Sequence, residues 1–100
     1  MLGIDPGAKV VRMRHLRLGN GPSVELFQVA DTAQREAARL SDVGLQHMAL
    51  YVDDIDEAER RVTAAGGVAH RPVADLAGVE EGPGNRWVYT RTPWGCSWNC

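Results

Sequence analysis

The hydrophobic pattern near the middle of the chain predicts a half-buried β-strand. From Leu45 to Val52, apolar and polar positions alternate with the two-residue period of a strand. One face of this strand carries Met48, Leu50 and Val52, and the other carries His47, Ala49 and Tyr51. The pattern therefore points a histidine toward whatever the sheet encloses.

A helix follows directly, and its boundaries are the clearest in the chain. Asp54 is a favourable N-cap, and Glu57 at the third helical position completes a capping-box pattern. The apolar stripe consists of Ile55, Ala58, Val62 and Ala65. Gly66 and Gly67 end the helix, and we expect one of them to be left-handed.

The first third of the chain predicts a β-hairpin after a short loop over residues 1–8. Strands are expected from Lys9 to Leu18 and from Ser23 to Val29, because the intervening Gly19-Asn20-Gly21-Pro22 is strong turn chemistry. Residues 31–43 are polar and rich in alanine, and we interpret them as a linker.

The second strand of this hairpin has two different faces. Glu25 and Phe27 share one face, and Val24 and Leu26 share the other. We expect the face that carries Glu25 to line a cleft, because it lies opposite the apolar face of Val24 and Leu26.

Three further strands are predicted in the second half of the chain. They cover Val68–Val73, Arg86–Thr92 and Cys96–Cys100, separated by a loop over 75–84 and a tight turn at Pro93-Trp94-Gly95. With the central strand and helix, the order is β-α-β-β-β. The expected fold class is α+β.

Composition narrows the range of partners. One hundred residues form one domain that gains stability from a partner, and 44% hydrophobic with 24% charged residues is ordinary for a globular protein. A net charge of -2 gives no reason to expect nucleic acid or an anionic membrane. The chain contains no apolar run long enough to span a bilayer and begins without the pattern of a secretory signal, so we expect a cytoplasmic location.

The two cysteines are expected to remain reduced. Cys96 and Cys100 lie in a segment that we interpret as a strand, where four residues span roughly 13 Å. That separation is too large for one disulfide or one metal ion.

Several segments, taken together in this order, resemble the vicinal oxygen chelate superfamily of glyoxalases, bleomycin-resistance proteins and extradiol dioxygenases. They are the run from Gly44 to Asp54, the helix that ends in Gly66-Gly67, and the run from Arg86 to Gly95. The run from Ser23 to Phe27 resembles the strand that closes the first module of that family.

The resemblance implies a curved mixed sheet, built from βαβββ modules around a metal-containing cleft. Residues 1–30 would be a partial first module, residues 31–43 the linker, and residues 44–100 a complete second module. A first βα unit of the family pattern has no counterpart in this sequence.

The resemblance also implies a set of metal ligands. His47 corresponds to the ligand at the start of the second module, and Glu25 to the carboxylate ligand that ends the first. The carboxylate of the last strand falls at Asn99, a poorer ligand. With two good ligands, a third would come from Asn99, His15 or a partner chain, because stable catalytic sites of the zinc type have three.

Each site residue also has a simpler interpretation. His47 could be a cleft histidine hydrogen-bonded to a neighbour, and Glu25 could face water or act as a catalytic base. Tyr51 and Phe27, on the cleft faces of their strands, could line a pocket for an aromatic or apolar ligand.

Two arginines have a similar pair of interpretations. Arg86 and Arg91 could attract an anionic substrate, or they could simply face solvent.

Three functional hypotheses are compatible with these residues. The first is a lyase or epimerase that uses a divalent metal ion on His47 and Glu25 to chelate neighbouring substrate oxygens. The second is a metal-free protein that binds or sequesters a small molecule, which Asn99 favours. The third is a truncated, inactive chain, or one with a misassigned start.

The hairpin leads to an expectation about assembly. Strand edges in the first module need a cover, so we expect a homodimer, with strand exchange as one way to form it and with the cleft shared between chains.

Overall fold

The computed structural model describes residues 4–100, so part of the loop predicted over 1–8 lies outside the described residues. The chain falls into two compact units, Met1–Arg35 and Glu36–Cys100, each considered by itself below. No helix of the described residues is long and apolar enough to cross a membrane.

The first unit contains the predicted hairpin. Strands β1 (Lys9–Arg17) and β2 (Ser23–Ala30) pair antiparallel. The turn between them is closed by a 2.9 Å hydrogen bond from the Gly21 amide to the Leu18 carbonyl, and Gly19 has a left-handed φ of 56°. The register shifts by one residue near the start of β1, which marks a bulge.

The second unit contains one helix and six short strands. These elements are β3 (His47–Ala49), α1 (Ile55–Ala64), β4 (Val68–Ala69), β5 (Ala74–Asp75), a 3-10 turn (Gly78–Glu80), β6 (Arg86–Trp87), β7 (Tyr89–Arg91) and β8 (Ser97–Asn99). Four strands form a sheet in the order β3-β8-β7-β4, with β3 parallel to β8 and the other pairs antiparallel. The predicted α+β class with a mixed sheet is confirmed.

Both predicted ends of the helix are confirmed. The Asp54 carboxylate accepts a 2.9 Å hydrogen bond from the Glu57 amide, as an N-cap does. The Glu57 side chain forms an ion pair with Arg60. Gly66 is left-handed with a φ of 92°, and a Cβ at Gly67 would lie 2.5 Å from Cγ1 of Val62.

The strands of the second unit are shorter than predicted. The strand expected over 45–52 is only β3, because strand length depends on the partner, and its partner β8 has three residues. The strand expected over 68–73 ends at Ala69. The strand expected over 86–92 is interrupted at Val88, whose amide and carbonyl bond Cys100 instead.

The loop predicted over 75–84 also differs from the structure. It is closed by a small hairpin that the sequence pattern did not reveal, in which β5 pairs antiparallel with β6. The loop itself contains the 3-10 turn, and the Asn85 side chain donates to the Glu80 carbonyl at 3.0 Å.

Alternation along the strands gives the four-stranded sheet two unlike faces. One face carries Thr90, which is only 2% exposed, and the half-buried Trp98. Val88, which directly precedes β7, is the most buried of the described hydrophobic residues at 1%. Helix α1 packs against β4 at the end of this sheet. The opposite face, here called the polar face, carries His47, Ala49, Tyr89, Arg91, Ser97 and Asn99. Most residues of the polar face are only half-buried, so a ligand has access to it.

Candidate functional site

The strand register arranges the polar face in two rows. His47 lies beside Ser97, which lies beside Arg91, across β3, β8 and β7. In the second row, Asn99 of β8 lies beside Tyr89 of β7. Residues paired across a sheet project to the same side, so these five polar side chains share one surface.

His47 in the first row contacts Tyr89 in the second row. Their rings meet edge to face, with centroids 5.1 Å apart and an angle of 75° between planes. Their strands are two spacings apart, roughly 10 Å, so the two rings lean toward each other over β8. Ser97, the β8 residue beside His47, leaves room for this contact because its side chain is small. The contact of the two rings lies beside it, and Ser97 is only 6% exposed.

A second aromatic contact extends this arrangement along β6 and β7. The Trp87 ring packs edge to face on Tyr89, with centroids 5.2 Å apart. The Trp87 indole nitrogen donates to the Asp75 carbonyl at 3.2 Å, which ties the aromatic group to the small hairpin. The His47 imidazole is thus held at one end of a three-ring series.

Two buried polar atoms at this site have no hydrogen-bond partner among the described residues. They are Nδ1 of His47 and Oδ1 of Asn99. Leaving a buried polar atom without a partner costs roughly 1–3 kcal/mol, and such atoms in native proteins call for an explanation. An amide oxygen is an acceptor, and a neutral imidazole nitrogen can be one, so a hydrogen-bond donor or a cation would satisfy both atoms.

These atoms fit a divalent cation in kind. An imidazole nitrogen suits transition metals, and an amide oxygen is an accepted ligand of harder ions. They are too few to form a site, because residues 4–100 contain no group of three or more His, Cys, Asp or Glu side chains able to hold a metal ion. The polar face by itself offers two donors.

The two candidates on the hairpin unit lie on one face of β2. Glu25 pairs with His15 across the hairpin, and Phe27 pairs with Met13. Glu25 is exposed, and Phe27 is 44% exposed and lines an open groove with Val29. Their roles as ligand, base and pocket residue stay predictions.

Tyr51 does not share the arrangement of His47. The alternation that predicted it on the same face ends with β3 at Ala49, and the Tyr51 side chain is fully exposed beyond the strand. Its role as a pocket residue stays a prediction.

Sequence reasoning missed Tyr89 and Ser97 as parts of the site. Both lie in or next to segments that carried the family resemblance, and Tyr89 alternates in phase with Arg91. The pairing of β7 with β8 places Tyr89 beside Asn99, and the pairing of β3 with β8 places Ser97 beside His47. Neither pairing is visible in a local pattern.

The two arginines of the second half have different partners. Arg86 binds Asp56 of the helix through two hydrogen bonds of 2.8 and 3.0 Å, and this contact holds the pKa of the Asp56 carboxyl below its usual range. Arg91 donates from Nε to the Gly95 carbonyl at 3.1 Å. Each guanidinium therefore has a hydrogen-bond partner within the protein.

The two cysteines are both free thiols. Cys96 is exposed, and partial burial raises the pKa of the Cys100 thiol. The expectation of reduced cysteines agrees with this arrangement.

The chain is similar to a curated protein in sequence and to a solved structure in fold, while no family model matches it. The chain is 41% identical over 97 residues to a 2-epi-5-epi-valiolone epimerase from Actinomyces sp. That alignment covers 94% of this chain and 51% of the epimerase, so the chain spans about half the length of this curated relative. The crystal structure of a glyoxalase family protein from Enterococcus faecalis has the same fold, with a TM-score of 0.61 at 20% identity, over 93% of this chain and 76% of that one.

Proposed function

Because the chain belongs to the vicinal oxygen chelate superfamily, we propose that it acts as an epimerase or lyase on a small, oxygen-rich molecule. The similarity to an epimerase supports the type of reaction, in which a proton leaves a carbon next to a carbonyl and returns. The polar face is the proposed place of binding.

One observation carries this proposal. His47 Nδ1 and Asn99 Oδ1 are buried on the same face of the sheet and have no partner among the described residues. A fold stabilised only by its own contacts would satisfy these atoms or replace them with apolar groups. A ligand that supplies a cation or hydroxyl groups accounts for both.

In this proposal His47 and Asn99 would supply two ligands of a divalent metal ion, and Glu25 stays the carboxylate ligand that the family resemblance implies. When bound, such an ion polarises a neighbouring carbonyl oxygen and so makes the adjacent C–H more acidic.

The chain's own residues orient the imidazole and bind the substrate. Tyr89 contacts His47 edge to face and limits rotation of its ring, so Nδ1 keeps its direction. Asn99 Oδ1 accepts a hydrogen bond from a substrate hydroxyl where no metal occupies it. If Glu25 does not bind the metal ion, we propose that it acts as the catalytic base.

A metal-free binding protein is the second candidate. Asn99 stands where the resemblance implies a carboxylate, and an amide binds metal ions less strongly. The edge-to-face series of Trp87 and Tyr89 offers an aromatic surface beside the polar atoms. Such a protein would bind a small ring-containing molecule without any metal dependence.

We further propose a homodimer, with exchange of the hairpin as one route to it. The hairpin buries little of its own apolar surface: Val11 is 56%, Met13 52% and Phe27 44% exposed. A stable protein covers such strands, and a second copy of the chain is the proposed cover.

Elemental analysis of bound metal tests the catalytic proposal. The wild-type protein, incubated with Zn²⁺, Co²⁺ or Mn²⁺ and then desalted, is expected to retain close to one ion per chain, and His47→Ala is expected to lose it. His70→Ala is the matched control, because His70 is exposed and follows β4, at the opposite edge of the sheet from β3.

Equal metal content in wild type and His47→Ala would contradict the proposed ligand. Absence of metal from the wild type, with retained affinity for a cyclic polyol or an aromatic compound in the presence of a chelator, would favour the metal-free alternative.

A further inference from the structure

Burial and charge single out Arg91 among the arginines of the protein. Within residues 4–100, only Arg86 and Arg91 are half-buried, and every other arginine is exposed. Arg86 is neutralised by the Asp56 carboxylate. Arg91 forms no ion pair with a carboxylate of the described chain, and its one hydrogen bond goes to a neutral carbonyl.

The position of Arg91 is built into the turn between β7 and β8. Its Nε donates to the Gly95 carbonyl at 3.1 Å. A Cβ at Gly95 would lie 3.5 Å from one terminal nitrogen of Arg91 and 2.5 Å from Cβ of Ala37, and Gly95 has a φ of 97°. The positive φ and the close approach of Ala37 therefore require glycine in the turn whose carbonyl accepts the hydrogen bond from Arg91.

Arg91 projects from the same face as the proposed catalytic groups. It shares a row with Ser97 and His47, and the two outer residues of this row are two strand spacings apart, roughly 10 Å. A small molecule can reach from one to the other. Holding a guanidinium away from water without an anionic partner is costly, and the guanidinium's planar fork fits the oxygens of a phosphate or carboxylate.

We propose that Arg91 is a specificity-determining residue that binds an anionic group of the substrate, a phosphate or a carboxylate, at the end of the polar face opposite His47. This inference rests on the proposed function, since it takes the His47 end of the row as the reacting end. It adds that the molecule is an anion with an oxygen-rich portion, and that a neutral molecule binds more weakly.

The test uses anions that bind without any metal ion or reaction. Inorganic phosphate and acetate are titrated into metal-free protein while the Nε–H signals of the arginine side chains are followed by NMR, with a neutral polyol as the uncharged comparison. We expect the Arg91 signal to shift and saturate. Saturation by phosphate alone supports a phosphoryl group, and saturation by acetate alone supports a carboxylate.

Calorimetric titration of variants with the same anion measures the contribution of the charge. Arg91→Gln is expected to weaken binding about tenfold, or 1.4 kcal/mol. Arg91→Lys keeps the charge but lacks the planar fork, so we expect an intermediate affinity. Arg61→Gln, at an exposed arginine near the end of α1, is the matched control and leaves the affinity unchanged.

The inference is overturned if the Arg91 and Arg61 signals shift equally and linearly, as with general screening by salt, or if Arg91→Gln binds the anion as well as wild type. The same titration on His47→Ala separates this question from the proposed reaction. Retained anion binding by His47→Ala, together with loss of metal, supports both proposals, whereas metal binding by the wild type without anion binding removes this one alone.

Discussion

At the scale of single residues, the polar face depends on one small side chain and one aromatic contact. Ser97 is small enough for His47 and Tyr89 to meet above β8, and this contact fixes the imidazole. Asn99, beside Tyr89, then places on the same face a second buried polar atom that has no hydrogen-bond partner among the described residues.

Replacing Asn99 with aspartate is predicted to strengthen metal binding. The substitution adds a negative charge in nearly the same volume, and a charge pair near a protein surface contributes on the order of 1–4 kcal/mol. We expect the affinity for Zn²⁺ to rise at least about tenfold, which is 1.4 kcal/mol, measured by competition with a chromophoric chelator. The isosteric change Gln46→Glu, outside the polar face, is the control, and an equal gain there would mean that general charge explains the result.

The sequence could predict some of these residues and not others. His47 was found because a histidine within an alternating strand is a local feature. Tyr89 and Ser97 were missed because their importance comes from the partners of β7 and β8, which join residues far apart in the chain. Tyr51 was assigned to the same face because alternation has no signal for where a strand loses its partner.

At the scale of elements, the helix is held by local contacts at its start and by a longer-range ion pair. Asp54 caps its first turn, and Asp56 in the same turn binds Arg86 of β6. The helix was predictable because its caps are local, whereas the strands of two or three residues were not, since their lengths depend on their neighbours.

Removing the N-cap is predicted to destabilise the second unit. Asp54→Ala deletes the acceptor for the Glu57 amide, and loss of such a cap costs about 1 kcal/mol. Urea denaturation followed by circular dichroism measures the change in the free energy of unfolding. Asp53→Ala, one residue outside the cap, is the control, and a loss equal to that of Asp54→Ala would show that the cap is not the cause.

The ion pair between Asp56 and Arg86 predicts a dependence of stability on pH. Arg86 lowers the folded-state pKa of Asp56, so the contribution of this group is present above the carboxyl pKa of the unfolded chain, about 3.9, and is lost as pH falls through the lower folded value. We expect wild type to lose more stability than Asp56→Asn between neutral pH and acid pH.

Denaturant titrations at several pH values measure this difference. Asp53→Asn is the control, because Asp53 forms no ion pair within residues 4–100. Identical pH profiles for wild type and Asp56→Asn would refute the prediction.

At the scale of the whole molecule, the exposed hairpin is the main reason to expect a second copy of the chain. Its strands leave Val10, Val11, Met13 and Phe27 between 43% and 56% exposed. The hairpin itself was predictable from its turn chemistry, but what covers it is not encoded in any local pattern.

A charge on the hairpin is predicted to separate the proposed dimer. Met13 lies opposite Phe27 in the register, so Met13→Lys would place a charge within the apolar surface that the second copy covers. Sedimentation velocity is expected to show a dimer for wild type and a monomer for this variant. Val79→Lys, at a fully exposed valine in the loop between β5 and β6, is the control and leaves the dimer intact. A monomeric wild type at micromolar concentration would contradict the assembly.

The claim that His47 Nδ1 is a metal ligand is tested most clearly by observing the three histidines in one metal titration. Zn²⁺ is titrated into ¹⁵N-labelled protein, and the imidazole nitrogens of His15, His47 and His70 are observed by long-range ¹H–¹⁵N NMR. If the polar face is the ligand site, the Nδ1 resonance of His47 moves in proportion to the first equivalent of metal, while those of His70 and His15 stay in place. An unchanged His47, or equal shifts at all three histidines, would contradict the claim that His47 Nδ1 is a metal ligand.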